Sequence, residues 1–471
     1  MNYFSYNIFL LLYCGVLLII QPDSATLFFI ISLALSVLAV MNIVGYIINP
    51  SNICVYNFFA TSLLLAYALS TFATQIKIYS LKSIDVARYF SIDQSSLSQA
   101  LAGVSFASAV LVCFGRLIPF KIKFPEFSND QIRESLLVVL IVAFVGIYSI
   151  WSGLIGFQGF IFADATQQTV SPTALMVSFS LAPAGVLAMF LATGKQDISH
   201  FDKRLFYIIA IVIWAITFTQ ARRLLVYLAL LYVIFYAIDN YGYTIWKKKI
   251  FFSVIVVFVA YFGVKLFYAF RVAGWESPGI KDTAFLLKSG FDVLFNPSKY
   301  DFNYLLSENT IERPFVIKYL AQVLEKIRLD RGMSGEAIYA TILFSIPSLF
   351  IGVKTMAIDE DLIHPRLGLV ISDDANTILT TGAADFGWAG LLLYPVLIVL
   401  VLKILQFMVR KVNIRWLEYF VQFGILFVIL NVENSMSQYW SFVRNSLIVL
   451  VIAFALRLIL NGVYFRKNGL I

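Results

Sequence analysis

The chain is written in apolar blocks about 20 residues long, and this repetition constrains its fold more than anything else in it. An α-helix rises about 1.5 Å per residue, so one block matches the hydrocarbon thickness of a bilayer. Lipid offers no hydrogen bonds, so a spanning segment must satisfy its own backbone as a helix or within a closed barrel. A barrel needs strands that alternate polar and apolar residues, and no such alternation runs through these blocks. The sequence therefore predicts an all-α polytopic membrane protein. A composition of 60% apolar and 13% charged residues agrees, because soluble domains carry about twice that share of charge.

About twelve spans follow, at roughly 4–20, 25–48, 54–73, 97–117, 135–155, 172–193, 205–220, 222–239, 250–270, 388–408, 416–433 and 439–462. Residues 2–20 lack the basic start and small-residue cleavage site of a signal peptide, which predicts a retained first helix. Three regions result: a membrane bundle over 1–270, a large segment over 271–387, and C-terminal membrane helices over 388–471. Lys and Arg gather in alternate loops, with Lys121, Lys203, Lys248, Arg410, Arg415 and Lys467 on one side. That bias predicts both termini in the cytoplasm and the 271–387 segment on the outer face. It also accounts for the net charge of +8 with no nucleic-acid partner. Cys14, Cys54 and Cys113 stand apart in apolar stretches, which predicts buried thiols, with neither a disulfide nor a zinc site.

Chemistry in a membrane protein belongs where irregular backbone reaches water, and the 271–387 segment is the longest such stretch. Within it Ile311–Leu329 carries Val316, Leu320, Val323, Leu324 and Ile327 at helical spacing, predicting an amphipathic helix. Ile338–Val353 is apolar but short and interrupted by Pro347, which predicts a surface or re-entrant helix. A short interfacial helix is expected through Ser83–Tyr89. His364 is expected on a loop, and a further helix is expected to begin near Asn376.

Cations and a base are the groups to look for. Arg222 and Arg223 sit at the outer start of a span, against the charge bias, and either snorkel to the headgroups or bind an anion. Arg271 ends the ninth span, and Arg313 precedes Pro314, where helix is disfavoured. Each is either an interface or surface arginine or a contact for an anionic ligand. Arg366 lies two residues from His364. A guanidinium grips phosphate through paired hydrogen bonds and stays charged. An imidazole can accept a proton or, when charged, hold phosphate. Asp373 and Asp374 can orient a hydroxyl, act as a base, or cap the helix that follows.

Other strings carry less. Asp359, Glu360 and Asp361 form an acidic run that reads as solvated rather than as a cation site. No cluster of His and Cys has ligand spacing, so no metal is expected. The DFG string at Asp385 lacks the glycine-rich and catalytic loops of a kinase. Its glycine and Gly390 suit close helix packing instead. Glu433 and Arg444 flank the last outer turn, where they can pair.

At ARRLLVYLALL, residues 221–231, and at IPSLFIGVK and NTILTTGAADFGWAGLLLYP, residues 346–354 and 376–395, the chain resembles the O-antigen polymerase (Wzy-type) family of repeat-unit polymerases. The resemblance extends to the plan of many spans, one dominant outer segment and outer-face arginines. It implies a fold related to the multi-span, GT-C-like glycosyltransferases and a reaction at the outer face of a bacterial inner membrane. There a growing glycan leaves undecaprenyl pyrophosphate and joins the non-reducing end of the next lipid-linked repeat, with no cofactor and no metal. A chain-length regulator and a flippase are the partners implied. Arg222, Arg223, Arg271, Arg313 and Arg366 would then stabilise the pyrophosphate leaving group. His364, Asp373 or Asp374 would take the acceptor hydroxyl's proton. An O-antigen ligase would use similar groups. A transporter or flippase for a lipid-linked oligosaccharide would line a central path with buried charge, which the spans largely lack.

Overall fold

The computed structural model describes residues 3–48, 53–82, 85–122, 127–151, 172–193, 198–218, scattered positions between 254 and 276, and 283–300, 315–329, 332–346, 357–370 and 375–467. Its helices in chain order are α1 (Tyr3–Ile20), α2 (Ala25–Ile48), α3 (Val55–Leu64), α4 (Ser70–Lys82), α5 (Val86–Phe90), α6 (Gln94–Leu117), α7 (Asn129–Trp151), α8 (Pro172–Thr193) and α9 (His200–Phe218). They continue as α10 (Thr283–Phe295), α11 (Ile317–Leu329), α12 (Glu336–Ser345), α13 (Asp359–Leu367), α14 (Ile378–Val412), α15 (Arg415–Leu430) and α16 (Met436–Lys467). One antiparallel bridge, Cys54 to Lys121, is the only strand-like pairing among the described residues.

Six of the described helical segments are long and apolar enough to cross a membrane: those in α2, α3–α4, α6, α7, α14 and α16. Shorter apolar stretches occupy α1, α8 and α12. The outward surface fits lipid. Leu137, Ile141, Phe144 and Tyr148 of α7 are each more than half exposed, and residues three or four apart share one helix face. An apolar stripe of this kind is a liability in water and a requirement in a bilayer. The protein is all-helical and membrane-embedded. Of the expected spans, 222–239 and most of 250–270 lie outside the described residues.

The interior forms chiefly around α6. Its sequence supplies Ala100, Ala102, Gly103, Ser105, Ala107 and Ser108, small side chains that let neighbouring backbones come close. It packs on α1, α3, α11 and α14, and Ser105 Oγ donates to Leu11 O at 2.7 Å. A single apolar core runs from Leu11 to Ala453 and takes in Leu320, Ala321 and Val323 of α11. The amphipathic helix of the 271–387 segment is therefore built into the bundle rather than laid on its surface. A small second cluster joins Tyr268, Ala269, Val272 and Ala273 to Val293 of α10.

Contacts between chain turns sort the bundle into two ends. Ser98 Oγ donates to Pro22 O at 2.6 Å, and Phe90 stacks on Phe315 at 4.6 Å. At the opposite end Val55 N donates to Phe120 O at 2.8 Å, and Phe127 lies 6.3 Å from Tyr419. Successive spans from α1 to α6 thus run in alternating directions.

Several boundaries differ from the sequence expectation, each for a local reason. The third span runs on to Lys82, because a π-turn at Leu65–Leu69 carries α3 into α4 without a break. The interfacial helix is confined to Val86–Phe90, where Asp85 caps the start by accepting from Arg88 N at 2.7 Å. The apolar stretch at 338–353 is helical as α12 up to Ser345, and residues 347–353 lie outside the described residues. Ile346 is extended there, as a residue before proline prefers. His364 lies in a helix, α13, rather than on a loop. Three acids in its first turn suit the positive helix N-terminus, and Gly368 at φ 60° ends it. The helix expected near Asn376 starts at Ile378 with Thr377 as its cap, and past the break at Phe386 and Gly387 it runs on through the expected tenth span; Asp373 and Asp374 lie outside the described residues.

Candidate functional site

A polar seam forms where the π-turn midway along the α3–α4 span faces the start of α14, and where α13 meets the start of α16. Tyr67, fully buried, lies in the π-turn; such turns shift side-chain register and recur at functional sites. Its hydroxyl is 2.6 Å from Thr377 Oγ1. Thr377 caps α14 by accepting from Leu379 N at 3.1 Å and Thr380 N at 3.2 Å, while its own N–H donates to Thr380 Oγ1 at 2.7 Å. This reciprocal box fixes the hydroxyl that faces Tyr67. Glu433, between α15 and α16, and Tyr439, in the first turn of α16, are within electrostatic reach of Tyr67.

The seam continues to an acid. Ser435 Oγ is 2.9 Å from Ser437 Oγ, and Ser437 Oγ donates to Asp359 Oδ2. Asp359 heads α13 with φ 53°, a left-handed conformation uncommon outside glycine. Its Oδ1 is buried without a hydrogen-bond partner among the described residues, as are Asn376 Nδ2 and the Tyr439 hydroxyl. Native interiors leave few polar atoms in that condition, and each calls for a partner. Burial raises the Asp359 carboxyl pKa above its ordinary value, and the Ser437 and Ser435 hydroxyls lower it part of the way back. The acidic run at 359–361 is thus anchored by its first member and is not simply a solvated stretch. Hydroxyls, a carboxamide and a carboxyl together suit a hydroxyl-rich ligand, and Asp359 can hold or take a proton.

A second junction braces the seam. Asp385, 2% exposed, accepts from Ala337 N at 2.9 Å, Ile338 N at 3.0 Å and the Tyr394 hydroxyl at 2.7 Å. The first two are amides left open by the start of α12, so Asp385 caps that helix from 48 residues away. Met333 N and Ser334 N donate to Ala384 O and Asp385 O at 2.8 and 2.9 Å. Helix α14 breaks directly afterwards, at Phe386 and at Gly387 with φ 58°. The DFG string is a helix break and a remote cap.

The residues singled out from sequence fall in different places. Arg222, Arg223, Arg313, Asp373 and Asp374 lie outside the described residues. Arg271 is half-buried beside the small cluster of Tyr268 and Val272. His364 is 1% exposed and meets Tyr319 edge to face at 5.2 Å. The Arg366 side chain is 58% exposed and paired with Glu336, its Nε donating at 3.1 Å. Two residues on a helix point about 200° apart, so these two do not converge on one ligand. Arg444 Nε donates to Asn445 Oδ1 at 3.0 Å. Cys14 and Cys54 are buried and Cys113 is half-buried; all three thiols are free. No group of three His, Cys, Asp or Glu among the described residues is arranged to hold a metal ion.

Sequence reasoning passed over Asp359, Ser435, Ser437, Tyr67 and Thr377 as a set. One signal for them was present: NVENSMSQY at 431–439 is a dense polar run between two apolar helices. The chain matches no protein-family model, no curated protein and no solved structure.

Proposed function

We propose that this protein is an inner-membrane polysaccharide polymerase with about twelve spans and a GT-C-like architecture. It transfers a growing glycan from undecaprenyl pyrophosphate to a lipid-linked repeat unit at the outer face. The reading rests on the family resemblance of the sequence. The structural observation that supports it is Asp359, a covered carboxyl with an open oxygen set among the hydroxyls of Ser435 and Ser437. In the proposed reaction the acceptor hydroxyl attacks the anomeric carbon, the carbon–oxygen bond to pyrophosphate breaks, and Asp359 takes the hydroxyl proton. Arg222, Arg223 and Arg313 are the proposed partners of the departing pyrophosphate, because fixed guanidiniums stabilise charge that develops there. Arg271 is available to the same end, whereas Arg366 is engaged with Glu336.

One observation favours a transporter: α14 is broken at Phe386 and Gly387, and discontinuous helices recur at transporter binding sites. A single assay separates the readings. Purified protein is mixed with one lipid-linked repeat unit and the products are resolved by length. A polymerase gives a ladder, a ligase gives a single transfer to a lipid acceptor, and a transporter moves the substrate across vesicles unchanged. Absence of a ladder with active, folded protein rules the polymerase out.

A further inference from the structure

At the end of the bundle opposite Asp359, the turn between α14 and α15 concentrates positive charge around one buried acid. Glu418, 4% exposed, accepts from Arg410 Nε at 3.0 Å, Arg415 Nη1 at 3.0 Å and Gln422 Nε2 at 2.9 Å. Arg457 Nη1 donates to Val412 O at 2.9 Å, bringing a third guanidinium from α16 to the same turn. Lys411 adds a fourth cation, 5.3 Å from the Phe407 ring. Four cations thus gather at one turn, and two of them share a single carboxylate.

The guanidiniums are not saturated. Arg410 Nη2 and Arg415 Nε are buried donors with no hydrogen-bond partner among the described residues, although each side chain as a whole is about a third exposed. A charged donor buried without an acceptor is costly, and structures supply such groups with water or an ion. Neutral water would leave the excess charge in place. Arginine's planar fork matches a phosphate oxygen pair. The turn also lies at the end of a span, the depth at which lipid phosphates sit.

We infer that the α14–α15 turn is a binding site for a phosphate-bearing anion, held by Arg410 and Arg415 with Lys411 and Arg457 contributing charge. The site is independent of the proposed glycan chemistry. A lipid headgroup and a soluble phosphate share this chemistry, and the experiment has an arm for each. Full-length protein is placed in vesicles of phosphatidylcholine alone or with added phosphatidylglycerol. Thermal unfolding and native mass spectrometry then read stabilisation and lipid retention. In parallel, inorganic phosphate is titrated onto the protein in detergent.

Phosphatidylglycerol is expected to be retained and to raise the melting temperature above that in phosphatidylcholine. Arg410→Gln combined with Glu418→Gln removes a cation and the buried acid together and should weaken retention about tenfold. Should that pair fail to fold, Arg415→Lys keeps the charge and loses the fork, and should reduce phosphatidylglycerol retention by a larger factor than any loss of folded protein in phosphatidylcholine. A matching rise with inorganic phosphate, lost in the same variants, assigns the site to soluble phosphate. No preference for phosphatidylglycerol together with no response to phosphate overturns the inference. So does full retention in the variants.

Discussion

The Tyr394 hydroxyl donates to Asp385 across the break in α14, at 2.7 Å. The same carboxylate caps α12 through Ala337 and Ile338, so one side chain ties the two halves of α14 to a helix of the 271–387 segment. Asp385→Ala leaves three donors without their acceptor and should cost about 2–3 kcal/mol. Tyr394→Phe removes a single donor and should cost about 1 kcal/mol. Thermal unfolding in detergent measures both. Equal, small shifts would mean that water replaces the carboxylate.

Gly390 is fixed by contact rather than by conformation. A Cβ there would stand 1.9 Å from Gly382 O, a backbone atom that cannot step aside. Gly390→Ala should therefore abolish folded protein in the membrane. Gly45 in α2 is the control, because a Cβ there meets nothing within 4 Å. Gly45→Ala should be tolerated and should gain about 1 kcal/mol of helix propensity. Comparable protein levels for both variants would refute the packing assignment.

How much of this was legible in the sequence follows from what each feature depends on. Spans were readable where lipid imposes one demand on every residue of a block, and α2 and α6, both long and apolar enough to cross, fall close to the expected ranges. Amphipathic spacing gave α11, but not that Leu320 and Val323 would join the main core. Spacing reports a face and not its partner. The seam was hidden for a different reason. Tyr67, Asp359, Thr377 and Ser437 are brought together by packing of four helices, and a π-turn leaves no composition behind it. His364 drew attention as a lone outer histidine, while its burial against Tyr319 could be known only once α11 and α13 were packed.

Orientation is testable at described positions. With Cys14, Cys54 and Cys113 replaced by serine, a cysteine at Glu360 should react with an impermeant thiol reagent in whole cells. One at Lys411 should react only after lysis. The reverse pattern would put Asp359 on the cytoplasmic side and end the proposal of outer-face chemistry. Lys248, Lys467 and Ser307 give the same test for loops beyond the seam, with only Ser307 expected to react in intact cells.

Asp359 and His364 make opposite predictions although they share α13. His364 is packed against Tyr319, so His364→Gln should lower the amount of folded protein more than the turnover of what remains. Asp359→Asn keeps the shape of the side chain and loses its basicity. If Asp359 takes the hydroxyl proton, turnover should fall about a hundred- to ten-thousand-fold with protein level maintained. The pH dependence sharpens the test. Burial raises the folded-state pKa of Asp359 above its ordinary value, so the folded protein binds this proton more tightly than the unfolded chain. The stability this contributes is complete below pH 3.8 and is lost as pH rises through the folded value. Turnover should move the other way, rising over the same window as the carboxylate forms. Asp359→Asn should flatten the stability change and remove the ionisation from the rate profile. A variant with wild-type turnover and an unchanged profile would leave Asp359 as a structural anchor for Ser437 and return the base role to His364, Asp373 or Asp374.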